Sequence, residues 1–128
     1  GLHSQIRSQL APPQWWPAVA QGAIAVECRG DDPDTAALFA ALNHRPTELR
    51  VRAERAMNLA LHGSCHVPVA GYAELQGERL QLSGWVGDVE NIRSIAASAE
   101  GDAADPEALG RAVAEKLFAQ GAAELLRF

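Results

Sequence analysis

The apolar residues of this chain keep time in two rhythms, one of period two and one helical. From Ala23 to Arg29 they alternate. Ile24, Val26 and Cys28 share one face and Ala25, Glu27 and Arg29 the other, which predicts a strand. Between Thr47 and Leu61 the spacing lengthens: Leu49, Ala53, Ala56 and Ala60 recur at i, i+4, i+7 and i+11. That spacing predicts a helix with a stripe suited to packing under a sheet. Alternation returns in Val67, Val69, Gly71, Ala73 and Leu75, and again in Leu80, Leu82, Gly84 and Val86. Gln76-Gly77-Glu78 between these runs reads as a hairpin turn. A second turn over Gly87–Asn91 leads into a third strand from Ile92 to Ala99, followed by a polar loop from Glu100 to Ala104. Asp105-Pro106-Glu107 then opens a helix with Leu109, Ala112, Val113 and Leu117 as its buried stripe, and Gly121 ends it.

The first third of the chain is less regular. Residues 3–10 read as the end of a helix, with Ile6 and Leu10 four apart, stopped by Ala11-Pro12-Pro13. Gln14-Trp15-Trp16-Pro17 reads as a linker whose tryptophans cover apolar surface. Asp32 with Pro33 forms an N-cap and first-turn pair for a helix running to about Asn43, with Leu38, Ala41 and Leu42 on one side. His44-Arg45-Pro46 breaks it. Consecutive hairpins make an antiparallel meander. The expected fold class is therefore α+β: a three-stranded antiparallel sheet packed against helices, preceded by a strand-helix piece.

Composition narrows the function. A chain of 128 residues is one ordinary domain, or one domain with a piece of another. With 48% hydrophobic but only 5% aromatic residues, Leu, Val and Ala must fill the core. A net charge of -5 argues against nucleic acid as a partner, which would call for a basic face. Lys116 is the lone lysine, and an arginine-dominated positive set favours planar, bidentate binding of carboxylates. Cys28 and Cys65 do not make a disulfide framework, so a reducing cytoplasm is the expected location. No apolar run reaches the ~18 residues a membrane helix needs, and Gly1 to Arg7 lacks the apolar core of a signal peptide.

The richest stretch is Ala60-Leu61-His62-Gly63-Ser64-Cys65-His66-Val67-Pro68-Val69, where one cysteine lies in a loop between two histidines. A thiol is a small apolar residue until something makes it a thiolate. Gly63 is a natural left-handed cap for the preceding helix, and a thiol just past a helix C-terminus feels the negative end of its dipole. Activation must come from His62, His66, Arg52 or Arg55. The series Glu48, Arg52, Glu54, Arg55 reads as a solvated helix face, with Arg55 pointing along the helix toward Cys65. Cys28, on the apolar face of its strand, reads as a packed core thiol. Arg29 at that strand's end and His44 at a helix end read as surface residues. On chemistry alone, a small metal-binding or protein-interaction domain using His62, Cys65 and His66 stays open, as does a cysteine hydrolase. A closed zinc site wants a fourth ligand, which this cluster does not offer.

Ala53-Glu54-Arg55-Ala56-Met57 followed by Gly63-Ser64-Cys65-His66-Val67-Pro68-Val69-Ala70-Gly71-Tyr72-Ala73-Glu74-Leu75 closely resembles the C-terminal region of the porphobilinogen deaminase (hydroxymethylbilane synthase) family. Pro17 to Arg29 resembles a second block of that family, and Ala41-Leu42-Asn43-His44 fits between them. Several separated blocks in order outweigh one short motif. The departures are Ser64 and His66, where the family usually has Gly and Gln, and Ala20 where it usually has Gly.

The resemblance implies a transferase of porphyrin and haem biosynthesis that condenses four porphobilinogen units, releasing ammonia. It implies a dipyrromethane cofactor attached covalently at Cys65, with Arg55, Arg29, Gln21 and Gly22 holding cofactor or pyrrole-chain carboxylates, and no metal. It implies that residues 1–16 are the tail of an upstream second domain and a linker. Residues 17–45 would be a strand-helix segment of the enzyme's first, α/β domain, and 46–128 the cofactor-anchoring α+β domain. No stretch resembles the family's aspartate-bearing catalytic motif. The expected partners are porphobilinogen, pyrrole-chain intermediates and the N-terminal domains of the same enzyme, and this portion alone should be inactive and can lack the cofactor.

Overall fold

In the computed structural model, residues 1–62, 68–88 and 92–126 are described. Helix α1 spans Pro33–Ala40 and α2 Arg45–Ala60. Three strands follow, β1 over Val69–Gln76, β2 over Arg79–Asp88 and β3 over Arg93–Asp102. Helices α3 (Pro106–Ala119) and α4 (Ala122–Leu125) close the described chain. The strands form one antiparallel sheet in the order β1-β2-β3, with α2 and α3 side by side against it. This is the α+β architecture that the apolar pattern predicts.

Register follows from the first hairpin. Gly77 turns at φ 61, so Gln76 faces Arg79 and Gly71 faces Gly84. Leu80, Leu82 and Val86 then point to the same side and are fully buried. Against them lie Leu49, Ala53, Met57 and Leu61 of α2 and Leu109, Val113 and Leu117 of α3. Met57 fills the notch left by the facing glycines: a Cβ on Gly71 would lie 2.7 Å from its methyl carbon, and one on Gly84 would strike its sulfur. Gly110 plays the same part between helices, since a Cβ there would meet the carbonyl of Ala53 and lie 2.7 Å from the Cβ of Ala56. Asp105 caps α3 by accepting the Ala108 N–H at 3.1 Å, and Asp32 caps α1 by accepting the Thr35 N–H at 3.0 Å.

Several expectations need correction. Residues 23–29 form no strand: Ile24 is 94% exposed and Cys28 is exposed rather than packed. A strand needs a neighbour for its backbone hydrogen bonds, and none of the described strands runs beside this one. Residues 3–10 are a single 3-10 turn, Leu2–Gln5, followed by irregular chain. Helix α1 does end before His44, but α2 starts at Arg45 rather than Thr47, with Pro46 in its first turn where the missing N–H is harmless. Strand β3 runs through the expected loop to Asp102, because Arg79 and Leu80 at the start of β2 still pair with Asp102 and Gly101.

Candidate functional site

Cys65 lies outside the described residues, as do Gly63, Ser64, His66 and Val67. What is described is the frame on either side. Helix α2 is capped by Leu61, buried to 1% exposure, and His62 just beyond it is left-handed at φ 54; the cap expected at Gly63 lies outside the described residues. The Leu61 N–H donates to the Met57 carbonyl at 3.0 Å and the His62 N–H to that of Leu59 at 3.1 Å. On the far side the Pro68 carbonyl accepts the Gly87 N–H at 2.9 Å, and Val69 pairs with Val86. Residues 63–67 therefore join two fixed points, one on the helix core and one on the sheet.

The arginines divide by role. Arg52 is committed to α3: its Nε and Nη2 donate to the two carboxylate oxygens of Glu107 at 2.6 and 3.1 Å, and its Nη1 to Glu48 at 3.3 Å. That pairing raises the Arg52 pKa, chiefly through the hydrogen bonds it donates to Glu107, and lowers that of Glu107. Glu48 is also held low, first by Asn43 and then by Arg45. Arg55 is exposed on α2 and makes no ion pair among the described residues, on the same side as exposed Leu59 and His62. Arg29 is 80% exposed beside Asp31 at 3.7 Å and Asp32 at 3.5 Å, in the turn before α1.

Gln21 and Gly22 line a cavity of about 510 Å³ between the irregular segment 10–23 and the α2–β1 corner, together with Arg50, Glu54 and Tyr72. Neither Arg29 nor Arg55 reaches this cavity. The Gln21 side-chain oxygen accepts the Ala18 N–H at 2.9 Å, which leaves its amide nitrogen as the outward group. Arg50 is steadied by the Pro46 carbonyl at 3.2 Å and the Thr47 hydroxyl at 3.3 Å. Such donors suit a ligand rich in carboxylates. His62 is exposed, and no group of three or more metal-ligating side chains forms among the described residues.

Glu54 is the residue that the sequence pattern misplaces. Read as solvated, it is buried to 7% exposure. Its Oε2 accepts the Ala20 N–H at 2.8 Å and its Oε1 the Ala73 N–H at 2.9 Å. Burial raises its pKa against the opposing pull of those hydrogen bonds. The signal was available: Glu54 precedes Met57 by three and Leu61 by seven, a second apolar row on the same helix.

The described fold is an α+β domain in which residues 63–67 link α2 to β1, with Gln21 and Arg50 donors lining a nearby cavity. The comparisons make it specific. Residues 48–119 match the family model of the porphobilinogen deaminase C-terminal domain, and the chain belongs to that family. It is 56% identical to a porphobilinogen deaminase of Xanthomonas axonopodis pv. citri (strain 306) over 98% of this chain and 41% of the relative. It is 55% identical to one from Stenotrophomonas maltophilia (strain R551-3), covering 98% of this chain and 42% of that protein. The chain thus spans about two fifths of the length of the curated relatives it matches.

Proposed function

We propose that this chain serves as the C-terminal, cofactor-anchoring portion of a hydroxymethylbilane synthase, a transferase that condenses four porphobilinogen units with release of ammonia. The observation that carries the reading is identity of 56% over 98% of the chain, with Cys65 inside the span matched by the family model. Cys65 holds the dipyrromethane through a thioether. Bound there, that group supplies the primer on which the pyrrole chain grows. A soft sulfur suits capture of an electrophilic methylene carbon, and an anchor consumed once does not need a permanently lowered thiol pKa.

The residues present fit such a group. Arg55, unpaired among the described residues, and the outward amide nitrogen of Gln21 are donors for acetate and propionate arms. Gly22, at φ 83 with nothing within 4 Å of a notional Cβ, leaves room for a ring to approach the backbone. Arg29 gives up its acidic neighbours for the same task when the upstream domains are in place. The protein acts in the cytoplasm, and catalysis belongs to the whole enzyme, because no aspartate-bearing motif lies in this portion. No helix among the described residues is long and apolar enough to cross a membrane.

The test joins this chain to an N-terminal portion from a relative and follows porphobilinogen consumption. Activity is expected from the joined protein, loss of at least a hundredfold in Cys65→Ala, and none from the 128-residue chain alone. Full activity in Cys65→Ala would overturn the proposal.

A further inference from the structure

We infer that Glu54 is a positioning residue whose carboxylate clasps the turn carrying Gln21 and Gly22 to the edge of the sheet. The inference rests on the reading that this turn handles pyrrole carboxylates, and it adds what holds the turn there.

The linker meets β1 briefly. Ala18 bridges Ala70 in antiparallel fashion, and the Pro17 carbonyl accepts the Gly71 N–H at 3.3 Å. In an antiparallel ladder the next donor on that edge is the N–H two residues on, at Ala73. The linker has already turned away, so no linker carbonyl reaches it. Oε1 of Glu54 takes that place at 2.9 Å. The other oxygen of the same carboxylate holds the Ala20 N–H at 2.8 Å. One side chain from α2 thus replaces a missing strand carbonyl and pins the residue at which the linker reverses.

The reversal is not one that alanine adopts by preference. Ala20 stands at φ 60 and Gly22 at φ 83, with the Gln21 N–H on the Ala18 carbonyl at 3.0 Å and the Ala23 N–H on the Ala20 carbonyl at 3.1 Å. A left-handed Cβ-bearing residue persists where its surroundings over-determine it. The charge-assisted bond to Glu54 supplies that determination here. A carboxamide could not replace it fully. Its single oxygen can satisfy one N–H, and its amide nitrogen would face the other donor to donor.

The first test needs no variant. In the isotopically labelled 128-residue chain, the amides of Ala20 and Ala73 should both show through-hydrogen-bond scalar coupling to the side-chain carboxyl carbon of Glu54. Absence of the Ala20 coupling would overturn the clasp. In Glu54→Gln the Ala20 amide should exchange at least tenfold faster while that of Val113 is unchanged. Adding Ala20→Gly should return the Gln21 amide shift toward wild type, because glycine holds the turn without help. A Gln21 amide that Glu54→Gln does not move would count against the proposal.

The functional arm uses the enzyme completed by its N-terminal portion, with porphobilinogen as substrate. Glu54→Gln is expected to raise KM about tenfold with kcat within about twofold. Wild-type KM in that variant would overturn the positioning role and leave the family reading standing. An inactive joined wild type would count against the functional reading, and the couplings would still judge the clasp.

Discussion

Ala20 carries a cost that its neighbours offset. A left-handed conformation costs an L-residue roughly 1–2 kcal/mol, which glycine avoids. Ala20→Gly is therefore expected to raise the unfolding free energy by about 1 kcal/mol, measured by urea denaturation. An unchanged or lower midpoint would contradict the strain at φ 60. Met57 is the converse case, fully buried in the notch between Gly71 and Gly84. Met57→Ala should cost about 2–5 kcal/mol by the same measurement. The packing of Met57 was legible from the sequence, since it lies among the apolar positions of a helix. The burial of Glu54 was legible only in its spacing from Met57 and Leu61, a signal that the charged residues beside it mask. Cys28 misled for a related reason: alternation marks the face that would be buried and does not say whether anything covers it.

Elements with local signals were the legible ones. The aspartate caps at Asp32 and Asp105, the Gly77 hairpin and the α2 stripe depend on residues close in sequence, and all are observed. The strand expected over residues 23–29 needs a partner distant in the chain, and its pattern could not reveal that none was at hand. The α2–α3 junction gives a pH test. Glu107 titrates below the ordinary glutamate range because Arg52 bonds its charged form, so the folded state binds this proton less readily than the unfolded chain. Its contribution is complete above about pH 4.3 and is lost as acid carries the pH through the lowered folded value. Glu107→Gln should thus be less stable than wild type at neutral pH, and the two should converge in acid. A gap that persists at low pH would exclude the ion pair as its source. Glu54 runs the other way. Burial raises its pKa, so ionising it in the folded state costs stability as pH rises through the folded value, a cost that the bonds from the Ala20 and Ala73 N–H groups offset in part.

At the scale of the molecule, the well-packed part is the sheet with α2, α3 and α4, and the first part of the chain is largely uncovered. Helix α1 packs on no other element among the described residues, leaving Leu38 at 74% and Leu42 at 70% exposure. Ile24 and Val26 are exposed as well. On the domain division proposed for residues 17–45, these side chains wait for the upstream domain. Cys28 reports on that. In a Cys65→Ser background it should react with a thiol reagent at least tenfold more slowly once the N-terminal portion is joined. Equal rates would mean that the segment does not dock there.

The central claim is that Cys65 carries the cofactor, and peptide mass spectrometry of the joined, active enzyme tests it most directly. The peptide holding Cys65 is expected to be heavier by two linked pyrrole units, and the peptide holding Cys28 to be unmodified. An active enzyme whose Cys65 peptide has the mass of a free thiol would contradict the account.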